Sequence, residues 1–447
     1  MSSIYIKNAS IVNEGKTFKG NVLISDEIIK SVTAAALSRL PASTEVIDAE
    51  GIYLIPGVID DQVHFREPGL THKGNIFSES RAAAAGGITS FMDMPNTNPK
   101  TTTIQTLNEK FITGAKNSLV NYSFYMGATN DNINELRETD PQTVCGIKVF
   151  MGASTGNMLV DNKEALSEIF KIKLLPIACH CEHEPTIQKN LEHYKSEYGD
   201  NIPVHLHPMI RSREACLKSS SFAIELARKY NTRLHILHLS TADEMKLFQN
   251  NIPLNEKRIT AEVCVHHLWF DDSFYEKLGS LIKWNPAIKT RFDREALLEA
   301  VISDKIDIIA TDHAPHTLQE KENNYSSAPS GGPLVQHSLI AMLELFHNKK
   351  ITLEKIIEKM CHNPAILFNI ADRGFIKEGF KADICLVDLN NSQTVTKENI
   401  LYKCGWSPFE DTTFRSKVIK TIVNGTIVYD NGSINENYRG QRLKFNR

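Results

Sequence analysis

The sequence predicts an α/β fold: a (β/α)8 barrel of the TIM type with a small β-sandwich domain built from both termini. Eight short apolar segments, typical of buried strands, recur through the middle of the chain. Helix-like stretches such as 78–85 and 220–229 lie between several of them, the pattern of a parallel α/β protein. The two ends instead alternate apolar and polar residues between turns, which indicates one sheet shared by both. We therefore assign residues 1–55 and 372–447 to the small domain and residues 56–371 to the barrel.

The expected barrel strands are separated by intervals that leave room for helices. A barrel of this type carries its active site at the carboxyl ends of its strands, so polar residues at those ends are the candidate site. The expected barrel strands are 59–67, 88–93, 122–126, 146–150, 175–180, 234–238, 259–263 and 306–312. The expected strands of the small domain are 4–6, 10–12, 21–24, 45–47, 382–387 and 418–425.

Composition argues against several classes of protein. The 447 residues carry 50 Lys and Arg against 53 Asp and Glu, so no basic surface for nucleic acid or membrane is indicated. The N-terminus does not have the pattern of a signal peptide, and no apolar run approaches the length of a membrane span. The 8 cysteines include no CxxC pair, which favours reduced thiols. We expect a cytoplasmic protein that acts on a small molecule.

The first barrel strand carries an unusual row of polar residues. Alternate side chains of a strand face the same way, so Gln62, His64 and Arg66 should lie on one side. The turn-prone Pro68-Gly69 then ends the strand. A polar row at the end of a buried strand is costly unless something binds there.

Residues of metal-ligand type, or able to become so, recur at or near the ends of later strands. Any one of them alone would more often be an ordinary core residue. Five such residues at corresponding positions of the strands predict a shared site at one mouth of the barrel. Imidazole and carboxylate ligands suit zinc or a related divalent ion. The five are His64, Lys148, His180, His238 and Asp312.

Lys148 is the exceptional member of this set. Its neighbours Ile147, Val149 and Phe150 are apolar, so the lysine should be buried, and a buried lysine tends to lose its proton. One interpretation is a core salt bridge, with Asp312 as the partner. The other is carbamylation, in which the neutral amine takes up carbon dioxide and becomes a carboxylate that can bridge two metals.

Three segments resemble the amidohydrolase superfamily and, within it, class I dihydroorotases. They are 58–69, Met94-Pro95-Asn96-Thr97 and 311–316, and the resemblance extends over nearly the whole chain. The His-Phe-Arg-Glu-Pro-Gly and Met-Pro-Asn-Thr segments are the specific ones, whereas hydantoinases and allantoinases share the barrel and the 311–316 region. The resemblance implies reversible hydrolysis of dihydroorotate to N-carbamoyl-aspartate, with ring closure as the biosynthetic direction towards pyrimidines such as UMP.

The resemblance also implies roles for individual residues. The five ligand-type residues occupy metal positions for one or two Zn²⁺ ions, with a carbamate on Lys148, and Asp312 is also the proton shuttle. Arg66 and Asn96 are similar to residues that hold the substrate carboxylate. The alternative to a substrate-binding role is a turn residue before proline for Asn285 and a plain loop for Ser330-Gly331. The implied substrate-binding set is His64, Arg66, Asn96, Asn285, His316, Ser330 and Gly331.

Two positions depart from the family pattern. Gln62 stands where the family carries the first histidine of a His-x-His pair, and a neutral amide is the weaker ligand, so the metal site nearest the first strand should be impaired. Some relatives have no lysine in strand four and place an aspartate where this chain has Gly152, so the chain is closer to the carbamate-lysine type.

The departures leave alternatives open. One is a non-catalytic homologue that serves as a partner of aspartate transcarbamoylase; such proteins usually lose several ligands, and here only one is altered. The other is a different cyclic amidase of the hydantoinase or allantoinase type, against which Arg66 argues because hydantoins lack a carboxylate. Homo-oligomerisation is left open as well.

Overall fold

A computed structural model describes residues 3–152 and 158–447. Its strands belong to four sheets, and most of its helices lie between successive parallel strands. The strands are β1 (Ser3–Asn13), β2 (Lys16–Ser25), β3 (Ile28–Thr33), β4 (Thr44–Asp48), β5 (Tyr53–Pro56), β6 (Val58–Val63), β7 (Ile88–Asp93), β8 (Asn121–Phe124), β9 (Met126–Gly127), β10 (Ile147–Phe150), β11 (Ile177–His180), β12 (Leu234–Ile236), β13 (Ile259–Cys264), β14 (Ile308–Ala310), β15 (Ile384–Asp388), β16 (Gln393–Thr394), β17 (Thr413–Phe414), β18 (Lys417–Val423), β19 (Thr426–Asp430) and β20 (Ser433–Ile434).

The helices begin after the strands they follow, many with a side-chain cap. Asn75 and Ser78 form a capping box at the start of the first helix, and Ser212 caps the long helix that ends at left-handed Asn231. The α-helices are α1 (Ile76–Ala85), α2 (Ile104–Asn117), α3 (Ile133–Glu138), α4 (Lys163–Phe170), α5 (Glu184–Tyr198), α6 (His207–Ile210), α7 (Arg213–Tyr230), α8 (Val265–Trp269), α9 (Tyr275–Leu278), α10 (Arg291–Ile302), α11 (Leu318–Lys321), α12 (Ser338–His347), α13 (Leu353–Ile357) and α14 (Asn363–Phe368).

Two parallel sheets contain the strands predicted for the middle of the chain. β6, β7 and β8 form one sheet, and β9 to β14 form the other in sequence order. Only Tyr125 separates β8 from β9, and at the other side a parallel bridge joins Val63 to His313 just beyond β14. Each of the eight predicted segments overlaps a strand, so the α/β interpretation of the middle is confirmed.

Several strands end earlier than the sequence suggests. β6 ends at Val63, β12 at Ile236 and β14 at Ala310, so His64, His238 and Asp312 lie one or two residues beyond their strands. His238 and Asp312 adopt positive φ, which a continuing strand cannot accommodate. His180, by contrast, is the last residue of β11, and Lys148 lies inside β10 as expected.

Strands from both termini form one nine-stranded sheet. Its order is β20-β19-β18-β15-β5-β1-β2-β3, with β4 also paired to β1. β5 joins the two ends of the chain, because it pairs in parallel with β1 and antiparallel with β15. Buried aliphatic residues on these strands, including Ile11, Ile24 and Ile384, form a separate core cluster. The expectation that both ends share a sheet is confirmed.

Two further expectations can be compared with the described residues. Among them, no helix is both long and apolar enough to cross a membrane. All eight cysteines are free thiols, as expected, and seven of them are buried.

Candidate active site

One pocket brings together most of the residues predicted for the site. It lies where the parallel strands β6, β10, β11, β12 and β14 end, so residues far apart in sequence share one wall. His316 and Gly331, the two predicted residues outside the lining, contact it from behind. The lining residues are Gln62, His64, Arg66, Asn96, Lys148, Phe150, His180, His238, Trp284, Asn285, Asp312, Ala314 and Ser330.

His64 presents a lone pair towards the carboxylate of Asp312. Its Nδ1 lies 2.7 Å from Asn96 Oδ1, an acceptor, so Nδ1 carries the proton and donates. Nε2 lies 3.1 Å from Asp312 Oδ1, which leaves two acceptors facing each other. Burial lowers the pKa of His64 and favours this neutral form. A cation between the two atoms would remove the repulsion.

His180 and His238 form a second facing pair. His180 Nδ1 lies 3.0 Å from His238 Nε2, and the His180 Nε2 lies 3.0 Å from Glu182 Oε2. Glu182 also pairs with Arg211, which fixes the carboxylate that orients the imidazole. Burial lowers the pKa of His180. Burial and the charge of the neighbouring His180 together lower the pKa of His238 well below its usual range. Both rings are therefore in the form that metals bind.

Lys148 forms no salt bridge among the described residues, so the expected pair with Asp312 is not present. The ammonium nitrogen lies instead 4.6 Å from the centre of the Phe150 ring. Burial lowers the pKa of Lys148 to about 8, so an appreciable share of the amine is neutral near physiological pH. Gly152 leaves no room for an alternative carboxylate, because a Cβ there would lie 2.6 Å from the Glu182 carbonyl oxygen.

Arg66 is a buried cation with unused hydrogen-bonding capacity. The side chain is 2% exposed. Its Nε donates to the Pro315 carbonyl at 3.0 Å, and Nη2 lies 3.0 Å from His316 Nε2. Nη1 is buried without a hydrogen-bond partner among the described residues. Burial lowers the pKa of Arg66 to about 10, which still leaves it charged at neutral pH. An anion in the pocket would satisfy the free nitrogen.

His316 supports Arg66 from outside the pocket. Lys73 Nζ lies 2.9 Å from its Nδ1, and its Nε2 lies 3.1 Å from the Ser330 carbonyl oxygen. The Lys73 ammonium donates to Nδ1, while Nε2 lies between a donor, Arg66 Nη2, and an acceptor, the Ser330 carbonyl oxygen. Burial and the charge of Arg66 lower the pKa of His316 well below its usual range.

Of the remaining predicted residues, Asn285 lines the pocket and Gly331 lies just behind its wall. Asn285 Oδ1 is buried without a hydrogen-bond partner among the described residues, so the side chain is more than a turn former. Gly331 has φ of 128°, and a Cβ there would lie 2.5 Å from the Ala314 carbonyl oxygen, so only glycine fits. Lys321 holds this loop by donating to the Gly331 carbonyl at 2.8 Å.

Three site residues have a backbone conformation that side chains rarely adopt. Arg66, His238 and Asp312 have φ of 68°, 40° and 48°. Such left-handed conformations cost free energy and persist where the surrounding structure imposes them, often at functional sites. Here they turn the side chains into the pocket just beyond the strands.

The hydrogen bonds of Gln62 show how the departure at this position is accommodated. Its Nε2 donates to Asp312 Oδ1 at 3.3 Å, and its Oε1 accepts from Cys264 Sγ at 3.7 Å. Both ends of the amide are thus used by neighbours, whereas a histidine would present a ring nitrogen to a metal.

Sequence reasoning missed four residues of the site. Glu182 follows His180 by two positions, and the rule that ligating histidines are oriented by carboxylates could have found it. Lys73, Phe150 and Trp284 carry no such signal, because a loop lysine and core aromatics occur throughout any sequence.

The donor atoms fit a divalent metal ion. His64 Nε2 with Asp312 Oδ1, and His180 Nδ1 with His238 Nε2, are two pairs of possible ligand atoms about 3 Å apart, close to the separation of two ligands on one zinc ion. Nitrogen and carboxylate donors are the ligands that zinc prefers in enzymes.

Comparisons with known proteins identify the family of this chain. The sequence pattern of the Amidohydrolase family matches residues 53–428. A dihydroorotase from Methanosphaera stadtmanae is 30% identical over 436 residues, covering 97% of this chain and 98% of the relative. One from Methanosarcina acetivorans is 33% identical over 448 residues, covering 97% of this chain and 94% of the relative. Among solved structures, the L-hydantoinase (dihydropyrimidinase) from Arthrobacter aurescens has a TM-score of 0.92 at 27% identity, covering 97% of each chain. The chain belongs to the amidohydrolase family.

Proposed function

We propose that this protein is a metal-dependent dihydroorotase, which interconverts N-carbamoyl-L-aspartate and (S)-dihydroorotate in pyrimidine biosynthesis. The observation that carries the proposal is Arg66. It is a buried guanidinium in the same pocket as the four facing ligand atoms, with Nη1 lacking a partner among the described residues. Dihydroorotate joins a cyclic amide to a carboxylate, so it matches both halves of the pocket. The relatives in Methanosphaera and Methanosarcina are dihydroorotases.

We further propose that β6 to β14 close into a (β/α)8 barrel and that the terminal sheet folds into a sandwich. The bridge between Val63 and His313 supports closure on one side, and the single residue between β8 and β9 supports it on the other. The site would then occupy the carboxyl mouth where such barrels bind substrates.

The proposed metal is zinc, held by His64, His180, His238, Asp312 and a carbamate on Lys148. When bound, the ion supplies Lewis-acid chemistry that polarises the ring carbonyl and makes water acidic enough to attack near neutral pH. Neutral Lys148 is the form that takes up carbon dioxide, and its lowered pKa supports that step.

Asp312 is the proposed proton carrier. Gln62 Nε2 donates to Asp312 Oδ1 at 3.3 Å, which orients the carboxylate. The other oxygen, Oδ2, takes a proton from water and delivers it to the departing ring nitrogen. Arg66 and Asn285 hold the substrate in place while this happens.

A hydantoinase activity is the second candidate, and the similarity to the Arthrobacter L-hydantoinase favours it. The two activities differ in what Arg66 does, because a hydantoin ring has no carboxylate to pair with a buried guanidinium. The residues proposed as ligands are all present, which also argues against a purely non-catalytic partner of aspartate transcarbamoylase.

The test is a side-by-side assay of zinc-loaded protein with dihydroorotate and with unsubstituted hydantoin. The expected result is a higher kcat/KM for dihydroorotate, by about 30-fold or more, because one buried charge pair contributes at least about 2 kcal/mol. A higher kcat/KM for hydantoin would replace the proposal with the second candidate. No turnover of either ring by folded, zinc-loaded protein would favour the non-catalytic partner.

A further inference from the structure

Three metal-ligating side chains meet inside the parallel sheets, apart from the pocket. They are Asp61 on β6, His235 on β12 and Glu262 on β13, here called the interior cluster, and each is fully buried. One potential ligand atom from each lies within 4.8 Å of the others. His235 Nε2 is 3.2 Å from Asp61 Oδ2 and 3.5 Å from Glu262 Oε2.

The backbone of β6 explains how two neighbouring residues serve two sites. The pairing of β6 with β7 shifts register between Asp60 and Val63, which marks a β-bulge over this stretch. A bulge changes the alternation of side chains, so Gln62 reaches the pocket while Asp61 reaches His235. The pocket lining, over the described residues, includes no member of the interior cluster.

Four ligand atoms of the cluster lack hydrogen bonds. Asp61 Oδ1 and Oδ2, Glu262 Oε2 and His235 Nε2 are all buried without a hydrogen-bond partner among the described residues. The contacts of His235 Nε2 are within ion-pair distance but do not have hydrogen-bond geometry. Buried polar atoms without partners are costly, and here the three side chains that carry them meet at one place.

The hydrogen bonds of His235 require a positive charge at its Nε2. Thr260 Oγ1 donates to the Leu234 carbonyl at 3.2 Å and so accepts from His235 Nδ1 at 2.9 Å. The Nδ1 proton is thus fixed. If Nε2 carried only a lone pair, the lone pair would face two carboxylates. Either a second proton or a metal ion must lie there.

Distance, donor number and charge favour the metal ion. Two ligands each about 2.1 Å from tetrahedral zinc are about 3.4 Å apart. The distances of His235 Nε2 from Asp61 Oδ2 and Glu262 Oε2, 3.2 and 3.5 Å, are close to this value. His235 Nε2 and one oxygen of each carboxylate provide three protein donors, and water can fill the fourth position of a tetrahedral ion. A single proton offsets one negative charge of two, whereas a divalent ion offsets both.

We propose that Asp61, His235 and Glu262 bind a divalent ion of the zinc class that links β6, β12 and β13 inside the fold. This site is independent of the proposed activity, because it involves neither Arg66 nor the pocket ligands. Since the cluster is fully buried, the ion should resist chelators that remove metal from the pocket.

The decisive experiment is a crystal structure of the full wild-type chain purified with zinc, with anomalous data collected at the zinc edge. The proposal predicts an anomalous peak about 2.0–2.2 Å from His235 Nε2 and from a carboxylate oxygen of each acid. Ordered side chains with no peak between them would overturn it and leave a protonated His235 in an ion pair.

Metal counting provides an independent measurement. The His180→Asn/His238→Asn variant removes ligands of the pocket ion, and after dialysis against EDTA it should retain one zinc per chain. Adding His235→Asn should reduce that content to zero. The matched control adds Glu244→Gln, a buried acid that bonds Ser220 and Thr241 outside the cluster and should leave the content at one. Equal zinc content with and without His235→Asn would contradict the proposal; if that variant does not fold, the anomalous map still decides.

Discussion

Arg66 decides the substrate at the scale of single residues. Replacing it with alanine removes the guanidinium that pairs with the substrate carboxylate, and losing a buried charge-assisted pair costs about 2–5 kcal/mol. We therefore expect Arg66→Ala to lower kcat/KM for dihydroorotate by about 30-fold to several thousand-fold, with zinc content and thermal unfolding unchanged. Steady-state kinetics with metal analysis measure this.

Arg66→Lys is the matched variant for this prediction. It keeps the charge but loses the planar fork, so its kcat/KM should fall between those of the wild type and Arg66→Ala. Near-normal activity of Arg66→Ala on dihydroorotate would mean that the substrate assignment is wrong.

Lys148 gives a pH dependence whose direction is fixed by its pKa. Burial lowers that pKa to about 8, so in metal-free protein the amine is protonated below pH 8 and neutral above it. Only the neutral amine takes up carbon dioxide, so the carbamate should form faster as pH rises through 8 and more slowly below it. The measurement is the ¹³C signal of the carbamate after labelled bicarbonate is added to metal-free protein.

Lys148→Ala should lose both pocket zinc and activity, and short carboxylic acids in excess should restore part of each. Lys359→Met is a suitable control, because Lys359 is equally buried but pairs with Asp304, a residue outside the pocket. An unmodified Lys148 in a high-resolution map of active, zinc-loaded protein would rule the carbamate out.

At the scale of elements, a buried ion pair connects a strand end to a helix behind the site. Lys110 on α2 lies 2.6 Å from Asp93 Oδ2 at the end of β7, and both side chains are fully buried. Asp93 Oδ1 accepts from the Phe65 backbone N–H at 2.8 Å, between His64 and Arg66. The pair thus holds the backbone that carries two site residues.

Lys110→Met should lower the free energy of unfolding by about 3–5 kcal/mol, because it leaves a buried carboxylate without its counter-ion. The double variant Lys110→Met/Asp93→Asn should recover much of that loss, since the amide oxygen can still accept from Phe65. Denaturant unfolding of the wild type, Lys110→Met, Asp93→Asn and the double variant gives the coupling energy between the two side chains. If Lys110→Met and the double variant lose the same free energy of unfolding, the unpaired charge of Asp93 is not the cause of the loss.

The elements also show how far sequence reasoning extends. Apolar periodicity located the parallel strands, because each is buried on both faces and flanked by turns. It placed the strand ends too late at His238 and Asp312, because positive φ is set by tertiary contacts and leaves no mark on composition. The five residues of metal-ligand type could be predicted, because such side chains rarely recur at the ends of several neighbouring strands unless they share a site. Lys73 and the interior cluster could not, because their partners become neighbours only through the fold.

At the scale of the whole molecule, Gln62 sets how many ions the pocket holds. The amide is already bonded to Asp312 and Cys264, so the ion nearest β6 lacks one ligand, while His180 and His238 are intact. After dialysis we expect one tight pocket ion in the wild type. Gln62→His should bind one more zinc per chain than the wild type, as counted by mass spectrometry. Equal counts would mean that Gln62 replaces histidine fully.

The central claim is that a metal in this pocket hydrolyses dihydroorotate. The most direct measurement follows dihydroorotate turnover in purified protein before chelation, after removal of the pocket metal and after zinc is added back, with Arg66→Ala treated in parallel. We predict turnover that is lost on chelation and restored by zinc in the wild type, and zinc binding with little turnover in the variant. Folded, zinc-loaded wild type that leaves dihydroorotate unchanged, or turnover that persists without pocket metal, would contradict the account.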